Sequence, residues 1–251
     1  MNELIFLGSG SSFTLTNYQS NILLKYNGKN LLIDCGTDIR HSISSIGLSH
    51  RDIDAVYISH LHADHVGGLE WLALYSHFDA DYIGKPKLYA NQTLKRKLWS
   101  NSLSNGLSTI ENKPADLETF FDIQSVGLND NFEWNGITFH MVQTNHVTNE
   151  FDNIPSFGLL FDLNDKRIFL TTDTQFCPNC MFNFYRIADI IFHDCETQYV
   201  ESGVHAHYDK LKTLPSYVKE KMWLYHYQDD ITQDAKKDGF KGFVTQAQSF
   251  K

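Results

Sequence analysis

Strand-like and helix-like hydrophobic patterns come in two batches along the chain. Leu4-Ile5-Phe6-Leu7 is an apolar run, and Ile22-Leu23-Leu24 follows it. Asn27-Gly28 predicts a hairpin turn into Leu31-Leu32-Ile33, because this dipeptide accepts the left-handed backbone of a two-residue turn. Gly36 ends that strand, and Ile39, Ile43 and Ile46 recur at helical spacing up to Gly47. Ala55-Val56-Tyr57-Ile58 reads as a buried strand, after which Val66, Leu69, Leu72 and Ala73 mark one face of a helix. Residues 80–130 are less regular: 94–98 look helical, and 105–116 read as a loop rich in turn formers. Alternation resumes with Ile137, Phe139 and Met141 pointing one way and Thr138, His140 and Val142 the other. Residues 156–161 and 167–170 form a predicted hairpin about Asn164-Asp165, and 190–192 and 222–224 are short buried strands. Strands in two batches with helices between them predict an α/β fold of two sheets flanked by helices. No repeat, linker or low-complexity tract interrupts the pattern, so one domain over residues 1–251 is expected.

Composition narrows the function classes. Of 251 residues, 42% are hydrophobic and 20% charged, which excludes a disordered chain. The net charge of −9 leaves no broad basic face with which to grip a long nucleic acid. No secretory leader opens the chain and no apolar run is long enough to cross a bilayer, so a cytoplasmic protein with reduced thiols is expected. Cys177-Pro178-Asn179-Cys180 has the spacing of half a zinc knuckle or of a redox pair. Cys35 and Cys195 do not supply the second close pair that a knuckle needs, so plain thiols in a turn are expected.

The chemistry concentrates in His60-Leu61-His62-Ala63-Asp64-His65, just after a predicted strand. Three imidazoles and a carboxylate are the donors that zinc prefers. A helix would turn residues 60 and 62 about 200° apart, whereas an extended loop sets alternate side chains on one side, where they share an ion. Asp64 and His65 begin the next helix and are free to turn to a second ion. Gly67-Gly68 lets that helix start lie against neighbouring backbone.

This run resembles the signature of the metallo-β-lactamase superfamily. The resemblance implies an αββα sandwich of two mixed sheets flanked by helices, and three further ligands: His146 after a long strand, Asp173 after Ile168-Phe169-Leu170-Thr171-Thr172, and His226 after Met222-Trp223-Leu224-Tyr225. The implied first ion binds His60, His62, His146 and Asp173. The second binds Asp64, His65, His226 and Asp173. The implied cofactor is two Zn²⁺ per chain, with Mn²⁺ or Fe²⁺ as substitutes. Asp34, in Ile33-Asp34-Cys35-Gly36, resembles the family's aspartate that fixes the tautomer of a liganding histidine.

Residues 7–12, 33–36 and 188–194 resemble the RNase Z branch, whose enzymes cleave phosphodiesters. There a late histidine protonates the leaving oxygen, with an acidic residue behind it; His205 and Asp194 match, and with Asp64 they are the expected catalytic residues. Asp194 stands where the branch has glutamate, and Ala206-His207 replaces its serine-threonine pair. RNase Z enzymes carry a long tRNA-gripping arm between the positions of His146 and Asp173, but the interval here is short. Ser202-Gly203-Val204-His205-Ala206-His207-Tyr208 and Lys221-Met222-Trp223-Leu224-Tyr225-His226-Tyr227 look like the anti-Pycsar phosphodiesterases. That likeness implies hydrolysis of cyclic mononucleotides, such as cyclic CMP and cyclic UMP, to linear 5′ monophosphates. It further implies evasion of host Pycsar defence and a homodimer in which a partner loop, here 105–116, helps close the site. The alternatives are an RNase Z-like RNA endonuclease and a non-catalytic cyclic nucleotide sponge. A diiron reductase would exchange a histidine for a carboxylate and carry a flavin domain, and this chain does neither.

Overall fold

The first strands are apolar on both faces because both are covered. In the computed structural model, which describes residues 2–126, 131–148 and 153–251, Leu4 and Phe6 face one cluster of buried side chains and Ile5 and Leu7 another. Leu31 and Ile33, and Ala55 and Tyr57, divide in the same way from Leu32, and from Val56 and Ile58. Double burial is what near-continuous apolar strands encode.

The strands are β1 (Glu3–Phe6), β2 (Ile22–Tyr26), β3 (Lys29–Ile33), β4 (Ala55–Ile58), β5 (Lys87–Asn91), β6 (Thr109–Ile110), β7 (Lys113–Pro114), β8 (Asp122–Val126), β9 (Asn131–Trp134), β10 (Ile137–Thr148), β11 (Asn153–Leu163), β12 (Lys166–Leu170), β13 (Ile190–Asp194), β14 (Met222–Tyr225), β15 (Gly242–Phe243) and β16 (Ser249–Phe250). One sheet has the order β16-β1-β2-β3-β4-β5-β8 and the other β15-β14-β13-β12-β11-β10-β9. Each is antiparallel in one half and parallel in the other, from β3 to β8 and from β12 to β15. Both predicted two-residue turns are present, with Asn27, Gly28, Asn164 and Asp165 all at positive φ.

A central core of Phe6, Tyr57, Phe139, Phe157, Phe161 and Phe192 lies between the sheets. Helices α1 (Ile39–Ser45), α2 (Ala63–Val66), α3 (Leu69–Phe78), α4 (Gln92–Leu98), α5 (Ser104–Leu107) and α6 (Leu117–Phe120) cover the first sheet, with Ile43, Leu69, Leu98, Leu107 and Phe120 among the buried residues. Helices α7 (Pro178–Ile187), α8 (Tyr208–Leu211) and α9 (Ser216–Lys219) cover the second through Met181, Tyr185, Leu211 and Val218. The layering is therefore αββα.

Two expectations need correction. Residues 105–116 are not a plain loop. The chain runs on from α4 through a π turn, Trp99–Leu103, into α5, because Leu103 and Leu107 are buried at helical spacing. The hairpin β6–β7 then turns on Glu111 and Asn112, both at positive φ. Nor are Cys177 and Cys180 plain thiols: their sulfurs are bonded, with Cα atoms 5.3 Å apart. Pro178 at the first turn of α7 starts a helix there and brings positions 177 and 180 within bridging range. Between His146 and Asp173 the described residues hold the β11–β12 hairpin; 149–152, part of the interval in which a tRNA-gripping arm is not expected, lie outside the described residues. Among the described residues no helix is long and apolar enough to cross a membrane.

Candidate metal centre

The parallel halves of both sheets end at one edge, and the chemistry-bearing residues lie there. Asp34 follows β3, the run 60–65 follows β4, Asp173 follows β12, Asp194 ends β13 and His226 follows β14. His146 is on β10, at a bulge where the register with β11 shifts between Thr144 and Val147. An unpaired residue in a strand re-aims a side chain, here into the interface between the sheets. Asp34, Thr172 and His226 have φ of 62°, 53° and 66°, left-handed backbone that costs a residue with a side chain about 1–3 kcal/mol. Gly68 permits a close approach: a Cβ there would come 2.3 Å from the carbonyl oxygen of Gly36.

Nitrogen and oxygen atoms converge in two sets. His60 Nε2 lies 3.1 Å from His62 Nδ1, which lies 3.0 Å from His146 Nε2. Asp64 Oδ2 lies 3.1 Å from His65 Nε2 and 3.3 Å from His226 Nε2. One oxygen of Asp173 joins the sets, 3.6 and 3.7 Å from His60 and His146 and 3.3 and 3.5 Å from His65 and His226. Grouped by distance, His60, His62, His146 and Asp173 form one cluster and Asp64, His65, Asp173 and His226 a second, while Asp194, His205 and His226 form a smaller third beside them. All are buried except His62 and His205, which are half-buried.

The outer partners turn lone pairs inward. Ser59 Oγ donates to Asp34 at 2.7 Å, so it accepts from His60 Nδ1–H at 3.0 Å. His65 Nδ1–H donates to Asp34 and His146 Nδ1–H to the carbonyl of Val204, each at 2.8 Å. The opposite ring nitrogen of each is thereby an acceptor. His65 Nε2 then faces two carboxylates, and neither it nor Asp173 Oδ1 makes a hydrogen bond among the described residues. Buried acceptors facing acceptors repel unless positive charge sits among them. The donor set therefore fits divalent metal ions, with imidazole nitrogens and carboxylate oxygens in the mix that zinc takes.

Charge around the site points the same way. Burial, reinforced by the neighbouring imidazoles, pushes His60 well below its ordinary pKa, so it stays neutral as a ligand must. Burial also pushes His65 down, but the carboxylates of Asp173, Asp64 and Asp34 more than offset this and draw positive charge to it. Burial raises the carboxyl of Asp173, yet His226 and His65 outweigh it and hold it well below the usual range.

His205 stands beside this centre, its Nδ1 2.9 Å from Asp194 Oδ2 and 3.9 Å from Asp173 Oδ2. Burial lowers its pKa, but Asp194 outweighs burial and lifts it to about 10. Asp194 is fixed in turn by the backbone N–H of Thr174 at 2.8 Å. His207 lies apart from the centre: Nε2–H donates to Gln198 and Nδ1 caps α8.

Sequence reasoning missed the residues that hold this arrangement. Ser59 and Val204 were not singled out, because a serine or a main-chain carbonyl carries no motif. Glu196 was missed too. It is 1% exposed, and both its carboxylate oxygens accept from the N–H of Ser202, at 3.1 and 3.0 Å, with Gln198 donating as well. This clamps the loop that carries Val204 and His205. The readable signal was a glutamate two residues beyond the end of a buried strand, directly after Asp194 and Cys195.

Comparison with known proteins follows the same lines. A profile of the family described as anti-Pycsar protein Apyc1 matches residues 2–250. A protein of Paenibacillus harenae named anti-Pycsar protein Apyc1 is 38% identical over 244 residues, covering 95% of each chain. One of the same name from Bacillus phage vB_BsuM-Goe3 is 31% identical over 258 residues, covering 97% of this chain and 96% of the relative. Among solved structures, the metallo-β-lactamase fold protein YhfI of Bacillus subtilis superposes with a TM-score of 0.74 at 14% identity, over 99% of this chain and 98% of that one.

Proposed function

The chain belongs to the anti-Pycsar protein Apyc1 family and has the metallo-β-lactamase fold, and on that premise we propose that it is a metal-dependent phosphodiesterase that opens cyclic mononucleotides, such as cyclic CMP and cyclic UMP, to linear 5′ monophosphates and so disarms Pycsar defence. The observation that carries this reading is the pair of donor clusters sharing Asp173, with a histidine–carboxylate pair at their side. His60, His62 and His146 would hold one ion, Asp64, His65 and His226 the other, and Asp173 would reach both. When bound, two divalent ions, zinc in this reading, supply Lewis-acid activation of water and of the phosphoryl group.

The chain's own residues do the rest. Asp34, Ser59 and Val204 keep the ligand lone pairs aimed inward. Asp194 engages Nδ1 of His205 and keeps the ring protonated at neutral pH, so Nε2–H is the proton to give. The ribose 3′ alkoxide is a poor leaving group, and proton donation to it contributes about 10²–10⁴-fold. A homodimer belongs to this reading. It is supported by Phe13, Leu15, Tyr199 and Val200, apolar side chains left 71–100% exposed. Their loops are fastened to Asp229 and Gln228, just after His226.

The test is to incubate zinc-loaded protein in parallel with cyclic CMP, cyclic UMP and a precursor tRNA, and to separate the products. The expected result is 5′ monophosphate from the cyclic mononucleotides and intact tRNA. Cleaved tRNA with intact cyclic nucleotide, or cyclic nucleotide bound without product, would overturn the reading.

A further inference from the structure

We propose that Cys177 and Cys180 are a redox-active pair that exchanges with small dithiols and disulfides, and that the closed form braces the segment leading back to Asp173. The pair lies where α7 begins, in the crossover between the parallel strands β12 and β13. Cys177 is the N-cap of this ten-residue helix, Pro178 is its first residue and Cys180 lies in its first turn. A thiolate there is stabilised by the unpaired N–H groups and positive end of the helix. Cys180 is exposed and Cys177 half-buried, so one sulfur of the bridge is open to attack. Cys35 and Cys195 are fully buried, and burial pushes both thiols far up, which leaves them inert.

Contacts lead from the pair into the centre. The side-chain amide of Asn145 lies 3.9 Å from Cys180 Sγ, and Asn145 precedes His146. Gln175 donates its backbone N–H to the carbonyl of Asn145 and its side-chain amide to that of His146, both at 2.6 Å. Thr174 donates to Asp194. The segment from Asp173 to Cys177 is thus tied to β10 beside His146 and, at its far end, to the bridge.

The exchange balances without further reactants. A thiolate of a small dithiol attacks Cys180 Sγ, the bond to Cys177 breaks, and Cys177 leaves as a thiolate. The reductant's second thiolate then resolves the mixed disulfide, so the protein gains two electrons and the reductant closes into its own disulfide. In reverse, the exposed Cys180 thiolate attacks a low-molecular-weight disulfide and expels one of its thiolates, and Cys177 then attacks Cys180 Sγ and expels the other as the bridge closes.

The test counts thiols in native protein with an aromatic disulfide reagent. None should react as oxidised, two after treatment with dithiothreitol and its removal, and none again after oxidised glutathione; the Cys177→Ser/Cys180→Ser variant should show none throughout. A count fixed at two in oxidised glutathione, or fixed at none after dithiothreitol, would overturn the exchange. The brace rests on the metal-centre reading and is tested by zinc competition against a chromophoric chelator. Reduced protein and the double variant should bind zinc about 10-fold more weakly than oxidised protein, the scale on which outer supports tune metal affinity. Equal affinities would overturn the brace, whereas zinc binding in neither state would overturn the metal reading and leave the thiol counts to stand alone.

Discussion

His205 and Glu196 separate two roles that single residues play at this site. In the proposed mechanism His205 gives a proton, so His205→Ala should cost about 10²–10⁴-fold in kcat on a cyclic nucleotide and far less on bis(p-nitrophenyl) phosphate, whose leaving group needs no proton. Steady-state assays on both substrates check this, and equal losses would remove His205 from the acid role. Glu196 acts through the loop that it clamps. Removing its carboxylate breaks the hydrogen bonds that Ser202 and Gln198 donate to a charged acceptor, for a cost of about 1.5–3 kcal/mol. Glu196→Ala should therefore lower Tm and repeat the leaving-group dependence of His205→Ala in weaker form, read by thermal melts and the same two assays. The donors of the 60–65 run were legible from sequence because histidines at such close spacing carry their own signal, whereas His146, Asp173 and His226 were reached only through the family resemblance. Ser59, Val204 and Glu196 were not, since their roles exist only through contacts between residues far apart in the chain.

At the scale of elements, strands buried on both faces and turns built on Asn-Gly or Asn-Asp were readable. β5 and β8 were not, because Lys87, Asp122 and Gln124 break their apolar pattern and neighbouring strands supply the pairing. The bulge that aims His146 was hidden as well, because a register shift depends on the partner strand. One junction makes a pH prediction. Asp79, just beyond α3, accepts from both Arg51 and His50 of the 3₁₀ turn His50–Asp52. The hydrogen bonds from Arg51 hold its carboxyl well below the usual range. A carboxyl depressed by folding stabilises above its unfolded pKa of about 3.9, and that contribution fades as pH falls through the folded value. The Tm gap between the protein and Asp79→Asn should be widest above about pH 4 and close in acid; a gap that widens in acid would contradict this.

For the whole molecule, the αββα layering follows from the burial pattern, and the layering brings residues from 34 to 226 to one edge. The exposed apolar loops beside that edge make a prediction about assembly. Light scattering coupled to size exclusion should give twice the chain mass, and replacing Leu15 and Tyr199 by serine should shift the protein toward monomer. A protein already monomeric at assay concentration would contradict the dimer. The proposed chemistry depends on the paired donor clusters, and the most direct measurement is anomalous diffraction from zinc-loaded crystals, with metal quantified in the same protein. Two ions per chain should appear, one among His60, His62 and His146 and one among Asp64, His65 and His226, with Asp173 between them. Zinc found only elsewhere on the chain, or none retained by these side chains, would contradict the account.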